Sequence, residues 1–339
     1  MNEPTLSAQF LDCGNGETIV LCLPGGDIGI VDCYLPDEST MARLFRHIDA
    51  LLNPHRRIRF VCLSHAHRDH GLGMAEFIER YSTRIDEFWH SGTNLKAVLG
   101  SIVKAFPASK ADFEECEGWL FRLYRKRKKL GIKARDLREG DEAMVADGVR
   151  ISVVAPSMSE WRCFLRETGR LLIGTRNRAT DRNEVSNALL VEYGSRYLVL
   201  SGDAPKCVWQ WHGVQDVIEE KENLKYDVLK VPHHGSNTTF ASEFYDNCGR
   251  AGGVVHFVVC GRSERDLAEL GADILNLTKK RPTAQLHCVS RGASVALSIK
   301  SKDVLNALSR AVCCPTESAV VARVSVEGTV EVERVERCW

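Results

Sequence analysis

"CLSHAHRDHGLG", residues 62–73, sets His65, His67, Asp69 and His70 within six positions at the end of an apolar run. A histidine in a core needs only one or two hydrogen-bond partners, so crowding three partly charged rings beside a carboxylate brings no stabilising return by itself. A metal ion supplies that return. His65 and His67 lie two apart, and in an extended segment both imidazoles project to one side. Asp69 and His70 fall where the chain turns and can face a second ion beside the first. Imidazole and carboxylate suit zinc, with manganese or iron as substitutes.

Length and composition set the frame. The 339 residues exceed the usual size of one domain, yet α/β folds of about 200 to 300 residues with one continuous core are common, so one large domain with an appendage is expected. Lys plus Arg and Asp plus Glu balance at 45 each, so bulk charge does not mark a polyanion-binding protein. Any such role must rest on local patches. The start, "MNEPTLSAQF", has no basic segment followed by an apolar run, and no stretch approaches about 18 uncharged apolar residues. The sequence therefore predicts a soluble, cytoplasmic chain without membrane contact. Its 13 cysteines include no C-x-x-C pair, which fits reduced, mostly buried thiols.

Two β-rich blocks flank a helical, basic middle. "ETIVLCLPGGDIGIVDCYL" reads as a hairpin about Pro24-Gly25-Gly26, "RIRFVCLS" as a buried strand into the histidines, and "GLGMAEFIERYSTRI" as a helix. Residues 93–130 carry a largely helical pattern. The second block runs through "GVRISVVAPS", the hairpin "NALLVEYGSRYLVLSGDA" turned at Gly194-Ser195, and "YDVLKVPHHGS". Strands are expected again at "GVVHFVVCG", "AQLHCVS" and "SVALSIK". Such a pattern suggests two packed sheets between helices. In the second block Gly202-Asp203 offers a carboxylate in a tight turn that could bridge two ions, and His233 and His234 end another apolar strand.

At these residues the chain resembles a known family. "SHAHRDHGLG" is similar to the H-x-H-x-D-H signature of metallo-β-lactamase-fold hydrolases, which implies an α/β fold, the αββα four-layer sandwich, with a mono- or dinuclear zinc or manganese site. "QFLDCGNGETIVLCLPGGDIGIVDC", "NALLVEYGSRYLVLSGDA" and "DVLKVPHHGSN" resemble, in order, the hydrolase domain of ComEC-like DNA-uptake competence proteins. That resemblance makes His65 and His67 ligands of a first ion, Asp69 and His70 ligands of a second, and Asp203 the bridge. In the family's V-P-x-H-G register His234 is the last ligand, and His233 stands beside the site as a proton donor or as packing. Two departures follow. Competence-type domains usually read H-x-D-x-D-H, and the wider superfamily places another histidine where "TDRNEVSNALL" has only Asn183. The first ion is therefore expected to be under-coordinated, giving one or two Zn²⁺ or Mn²⁺ per chain.

Ions at such a site lower the pKa of water from 15.7 to about 7 and can hold attacking and leaving oxygens together. Asp69 is the candidate to orient that water, and His233 to protonate a leaving group. Phosphodiesters, thioesters, lactones and amides are all open to it. Charge favours the first: residues 122–138 hold nine Lys or Arg against one acid, and residues 162–182 hold six Arg against two acids just before Asn183. Arginine suits phosphate oxygens. Arg176, Arg178, Arg182, Asn183 and Ser236 are the candidate substrate contacts, and Trp119, Phe121, Tyr124, Trp161 and Phe164 could stack bases or simply fill the core. The expected function is a metal-dependent phosphodiesterase or nuclease on nucleic acid or a nucleotide. Hydrolysis of small esters, thioesters or lactones is the alternative, and a non-catalytic metal-binding regulatory module the next. The hydrolase domain is expected over residues 1–300, with residues 301–339 a C-terminal extension that packs on it or meets a protein partner.

Overall fold

The computed structural model describes residues 5–91, 110–172, 181–205, 226–236, 254–260, 284–289, 312–313, 318–325 and 329–336. Sixteen strands lie within them. The first sheet holds β1 (Thr5–Leu11), β2 (Thr18–Cys22), β3 (Ile28–Cys33), β4 (Ile58–Leu63), β5 (Ile85–Ser91), β6 (Lys133–Leu137), β15 (Ser318–Ser325) and β16 (Val330–Glu336), in the order β16-β15-β1-β2-β3-β4-β5-β6. The second holds β7 (Glu142–Ala146), β8 (Val149–Ala155), β9 (Ala188–Tyr193), β10 (Arg196–Leu200), β11 (Val228–Lys230), β12 (Val255–Cys260), β13 (Ala284–Val289) and β14 (Val312–Cys313), in the order β14-β13-β12-β11-β10-β9-β8-β7.

Both expected hairpins form. Leu23 N–H donates to the Asp27 carbonyl (2.8 Å) across the Pro24-Gly25-Gly26 turn, and Tyr193 pairs with Arg196 across Gly194-Ser195. β1 and the edge strands β6 and β7 escaped the sequence reading, because short half-exposed runs such as "KARDL" and "EAMVA" carry little apolar alternation.

The fold is the expected α/β sandwich. Phe10, Leu21 and Phe60 of the first sheet meet Ile151, Val191 and Leu200 of the second in one buried layer, where Phe60 also stacks on Trp89 at 4.1 Å. The opposite face of the first sheet is covered by α1 (Glu38–Leu51), α3 (Met74–Arg80), α4 (Lys110–Lys129) and α5 (Met158–Leu172) through Leu44, Phe77, Leu123 and Phe164. Three layers are thus described. The expected strand "SVALSIK" lies outside the described residues.

Topology places the site. β3, β4, β5 and β6 run parallel, as do β10, β11, β12 and β13, so each sheet delivers several carboxyl-terminal strand ends to one edge. Ligand sites collect at such edges because the chain leaves each strand there in a loop free to carry polar groups. No helix of the described residues is long and apolar enough to cross a membrane.

β15 pairs with β1 over seven residues and buries Val320, Val321 and Val324. Burial of three valines contributes roughly 5–9 kcal/mol, against a whole-domain stability of about 5–15 kcal/mol. Removal of residues 315–339 is therefore expected to abolish or strongly lower the cooperative thermal transition, read by circular dichroism. An unchanged melting temperature would show that the strand is dispensable.

Candidate metal centre

The first half of the site is organised by a residue that the sequence reading passed over. Asp32, fully buried near the end of β3, sits at φ 58, a left-handed conformation costing about 1–2 kcal/mol for a non-glycine residue. Its Oδ1 accepts from Ser64 N–H (2.7 Å), while its Oδ2 accepts from Ser64 Oγ (2.7 Å) and from His70 Nδ1 (2.7 Å). The one available signal was an acid inside the wholly apolar strand "IGIVDC". Beyond β4 the chain passes through Ser64 to His65 and His67, then into the short helix α2 (Arg68–Gly71), which carries Asp69 and His70. His65 Nε2 lies 2.9 Å from His67 Nδ1.

The second sheet supplies the other half. Gly202 takes φ +51 after β10, and a Cβ there would stand 2.9 Å from the Asn187 carbonyl, so only glycine carries the turn. Asp203 follows, with its N–H on Ser186 Oγ (2.9 Å). After β11 the turn Pro232–Gly235 holds His233 and His234, both left-handed. His234 Nδ1 donates to the Cys260 carbonyl (2.7 Å), which aims Nε2 at Asp69 Oδ2 (3.1 Å).

Two donor groups meet at Asp203, and Glu17, Asp32 and His70 form a third beside them. Asp69, His70, Asp203 and His234 each place a ligand atom within 4.8 Å of the others, and so do His65, His67 and Asp203. Asp203 belongs to both. The donors fit divalent ions: His70 Nε2 is buried with no hydrogen-bond partner among the described residues, 3.3 Å from Asp203 Oδ1. Both His70 and His234 use Nδ1 on an oxygen and turn Nε2 inward, the arrangement that orients metal-binding imidazoles.

Charge around Asp203 is arranged in opposed pairs. Burial opposes its ionisation, but His70, His234 and Lys230 outweigh that and hold the carboxyl well below the usual range. Lys230 is completely buried, its Nζ 2.5 Å from Glu17 Oε2, 3.5 Å from Asp203 Oδ1 and 2.7 Å from the Gly202 carbonyl. Burial disfavours its charge, yet Glu17 and Asp203 keep it protonated. Neither Lys230 nor Glu17 was legible as a site residue. Burial likewise disfavours charge on His70, but Asp203 and Asp32 raise its pKa well above 6.5. His65 is pushed well below 6.5 by burial, and His67 to about 4 by burial and by Arg182.

The remaining expected residues divide. Arg182 donates through Nη1 to the Ala66 carbonyl, against the turn between His65 and His67. Asn183 is buried, its Nδ2 3.4 Å from His233 Nδ1. Ser236 N–H donates to the His233 carbonyl (2.9 Å) and closes that turn. Arg176 and Arg178 lie outside the described residues. Trp119, Trp161 and Phe164 are buried and cannot stack bases. The basic run 122–138 splits: Lys126 pairs with Glu79 at the far end of α3 (2.6 Å), so the helical part sits away from the histidines, while Arg138 follows β6 at the level of Ser91.

No family model matches the chain, and no curated protein matches it. Among solved structures it is similar to Zn²⁺-bound PqqB from Methylobacterium extorquens, at 12% identity over 88% of this chain and 85% of that one, TM-score 0.41. It is also similar to human tRNase Z, short form, at 12% identity over 91% and 96%, TM-score 0.38. A β-lactamase domain protein from Burkholderia ambifaria shares 17% identity over 58% of this chain and 51% of that one, TM-score 0.32. The chemistry of this chain rests on its own donors.

Asp203 and Asp32 outweigh burial and raise the pKa of His70 well above 6.5, favouring its protonated form in the metal-free site, whereas burial lowers those of His65 and His67 and favours their neutral forms. An ion that takes His70 Nε2 must displace that proton, so affinity for this ion should rise about tenfold per pH unit below the raised pKa of His70. Calorimetric titration in buffers of different ionisation enthalpy should find about one proton released by this ion. It should find none released by the ion on His65 and His67. Equal release by both would refute the assignment.

Proposed function

We propose that this protein is a metal-dependent phosphodiesterase or nuclease acting on nucleic acid or a nucleotide. The observation that carries the reading is the meeting of two donor groups at Asp203, with Arg182 fixed against the turn between His65 and His67. Zn²⁺ or Mn²⁺, one or two per chain, would be held by His65, His67 and Asp203 on one side and by Asp69, His70, His234 and the shared Asp203 on the other. Ions so held supply Lewis-acid polarisation of a phosphoryl oxygen and acidify water.

The protein's own groups do the rest. Asp69 is the ligand carboxylate most open to solvent, its side chain 37% exposed, and hydrogen-bonding to His234 outweighs burial to keep it ionised. It can therefore accept and orient the proton of an attacking water. Arg182 holds a permanent positive charge beside His67, where it suits a phosphate oxygen. The ordered motifs that resemble ComEC-like hydrolase domains support the same substrate class.

Metal-dependent turnover is expected on single-stranded DNA, RNA or a cyclic dinucleotide in a parallel assay that includes a thioester. Asp69→Ala should lower kcat by about 10²–10⁴-fold, the usual contribution of a positioned acid or base. Arg182→Ala should reduce the slope of log affinity against log salt by about one. Turnover of the thioester alone would assign the small-ester reading. Tight metal binding without any turnover would assign a regulatory module.

A further inference from the structure

Lysine is almost never fully buried unless it is paired, and Lys230, the last residue of β11, is fully buried. Val228, two positions earlier, lies in the apolar layer between the sheets, so Lys230 points the same way. Its side chain crosses from the second sheet to Glu17, just ahead of β2 in the first. Nζ ends among three oxygens: Glu17 Oε2 at 2.5 Å, the Gly202 carbonyl at 2.7 Å and Asp203 Oδ1 at 3.5 Å. Burial opposes its charge, but Glu17 and Asp203 outweigh burial. Two carboxylates and a carbonyl about one centre are donors for a hard cation such as Ca²⁺, whose bonds to oxygen run about 2.3–2.6 Å.

The carboxylate at this pocket is the one that both donor groups share. Asp203 Oδ1 lies 3.3 Å from His70 Nε2, while Oδ2 lies 3.9 Å from His65 Nε2. We propose that Lys230 is a resident cation, filling an oxygen-lined pocket that would otherwise take a metal ion, and that it is the positioning residue for Asp203. Lys230 on Oδ1, with Ser186 Oγ on the backbone N–H, keeps one oxygen of Asp203 toward each donor group.

A covalently attached cation has two advantages over a bound ion here. It is present at every metal concentration, so Asp203 is held ionised and oriented before any ion arrives. It also protects the neighbouring ligand. Glu17 forms a third donor group with Asp32 and His70, so a divalent ion drawn to Glu17 would compete for His70. An ammonium balances Glu17 without that competition. The pocket itself is defined by the three oxygens, and only its purpose rests on the metal-site reading above.

The test uses the full-length chain after dialysis against a chelator, with Ca²⁺ as the probe because it prefers oxygen donors to imidazole. Lys230→Ala leaves Glu17 and Asp203 around a space that an ion and its waters can enter. Its melting temperature should fall by about 5–15 °C, the effect of stranding a buried charge. Added Ca²⁺ should restore most of that loss by binding the folded chain, a rise that the wild type does not show. Lys230→Met, which fills the space with an apolar chain, should be destabilised without responding to Ca²⁺. The double variant Lys230→Ala, Glu17→Gln should not respond either, and should bind Mn²⁺ about 10–100-fold more weakly than wild type, the range for losing a group behind a metal ligand. Lys230→Ala indifferent to Ca²⁺, or unfolded with and without it, would overturn the pocket, as would an equal rise in the wild type. Wild-type Mn²⁺ affinity in the double variant would overturn the positioning role. A wild-type chain that binds no Mn²⁺ would overturn the metal-site reading, while the Ca²⁺ response would still decide the pocket.

Discussion

A carboxylate buried where two sheets meet governs this structure. Asp203 is 1% exposed, and taking such a charge out of water costs several kcal/mol unless opposite charge lies close. Lys230 and His70 provide it, at 3.5 and 3.3 Å. Each is itself buried and needs a partner, which Glu17 and Asp32 supply. Asp32 in turn is satisfied by Ser64. The charges form a closed series, and removing one member strands the next. The series also pins the ends of β3, β4, β10 and β11, and thereby the loops that hold the histidines.

The backbone around this series is shaped for the same purpose. Gly202 lets Asp203 approach Ser186, and the left-handed pair at 233–234 turns successive imidazoles toward one oxygen. The Glu17 N–H donates to the Asp69 carbonyl (2.9 Å), tying the β1–β2 loop to the helix that carries Asp69 and His70. Strain of this kind persists only where surrounding packing over-determines it. Here the two apolar layers do so, one between the sheets and one beneath the helices.

Positive charge is distributed with less regard to the site than its place in the chain suggests. The helical end of the basic run faces away from the histidines, because α4 returns antiparallel to the parallel strands whose far ends bear the ligands. Among the described residues, Arg182 reaches the turn between His65 and His67. Proximity in sequence was a poor guide to proximity in space for the helical part of the first segment and a good one for Arg182.

The amino-acid sequence alone named the candidate donors. His65, His67, Asp69 and His70 are close in the chain, and Asp203 and the pair His233-His234 each follow an apolar strand, so residue type and spacing singled them out, whereas the preference for His234 came from the family resemblance. The hairpins at Gly25-Gly26 and Gly194-Ser195 were legible for a similar reason, since turn chemistry is local. Tertiary structure decided what lies behind the donors. Asp32, Glu17, Ser64 and Lys230 look ordinary in sequence, because an acid in a strand or a lysine before a turn gains its meaning only when a distant opposite charge is packed against it in a medium that screens poorly. Only folding could bring His233 and Asn183, 50 residues apart, to 3.4 Å. Pairing between buried charges depends on distance through space, and a one-dimensional pattern does not carry that distance.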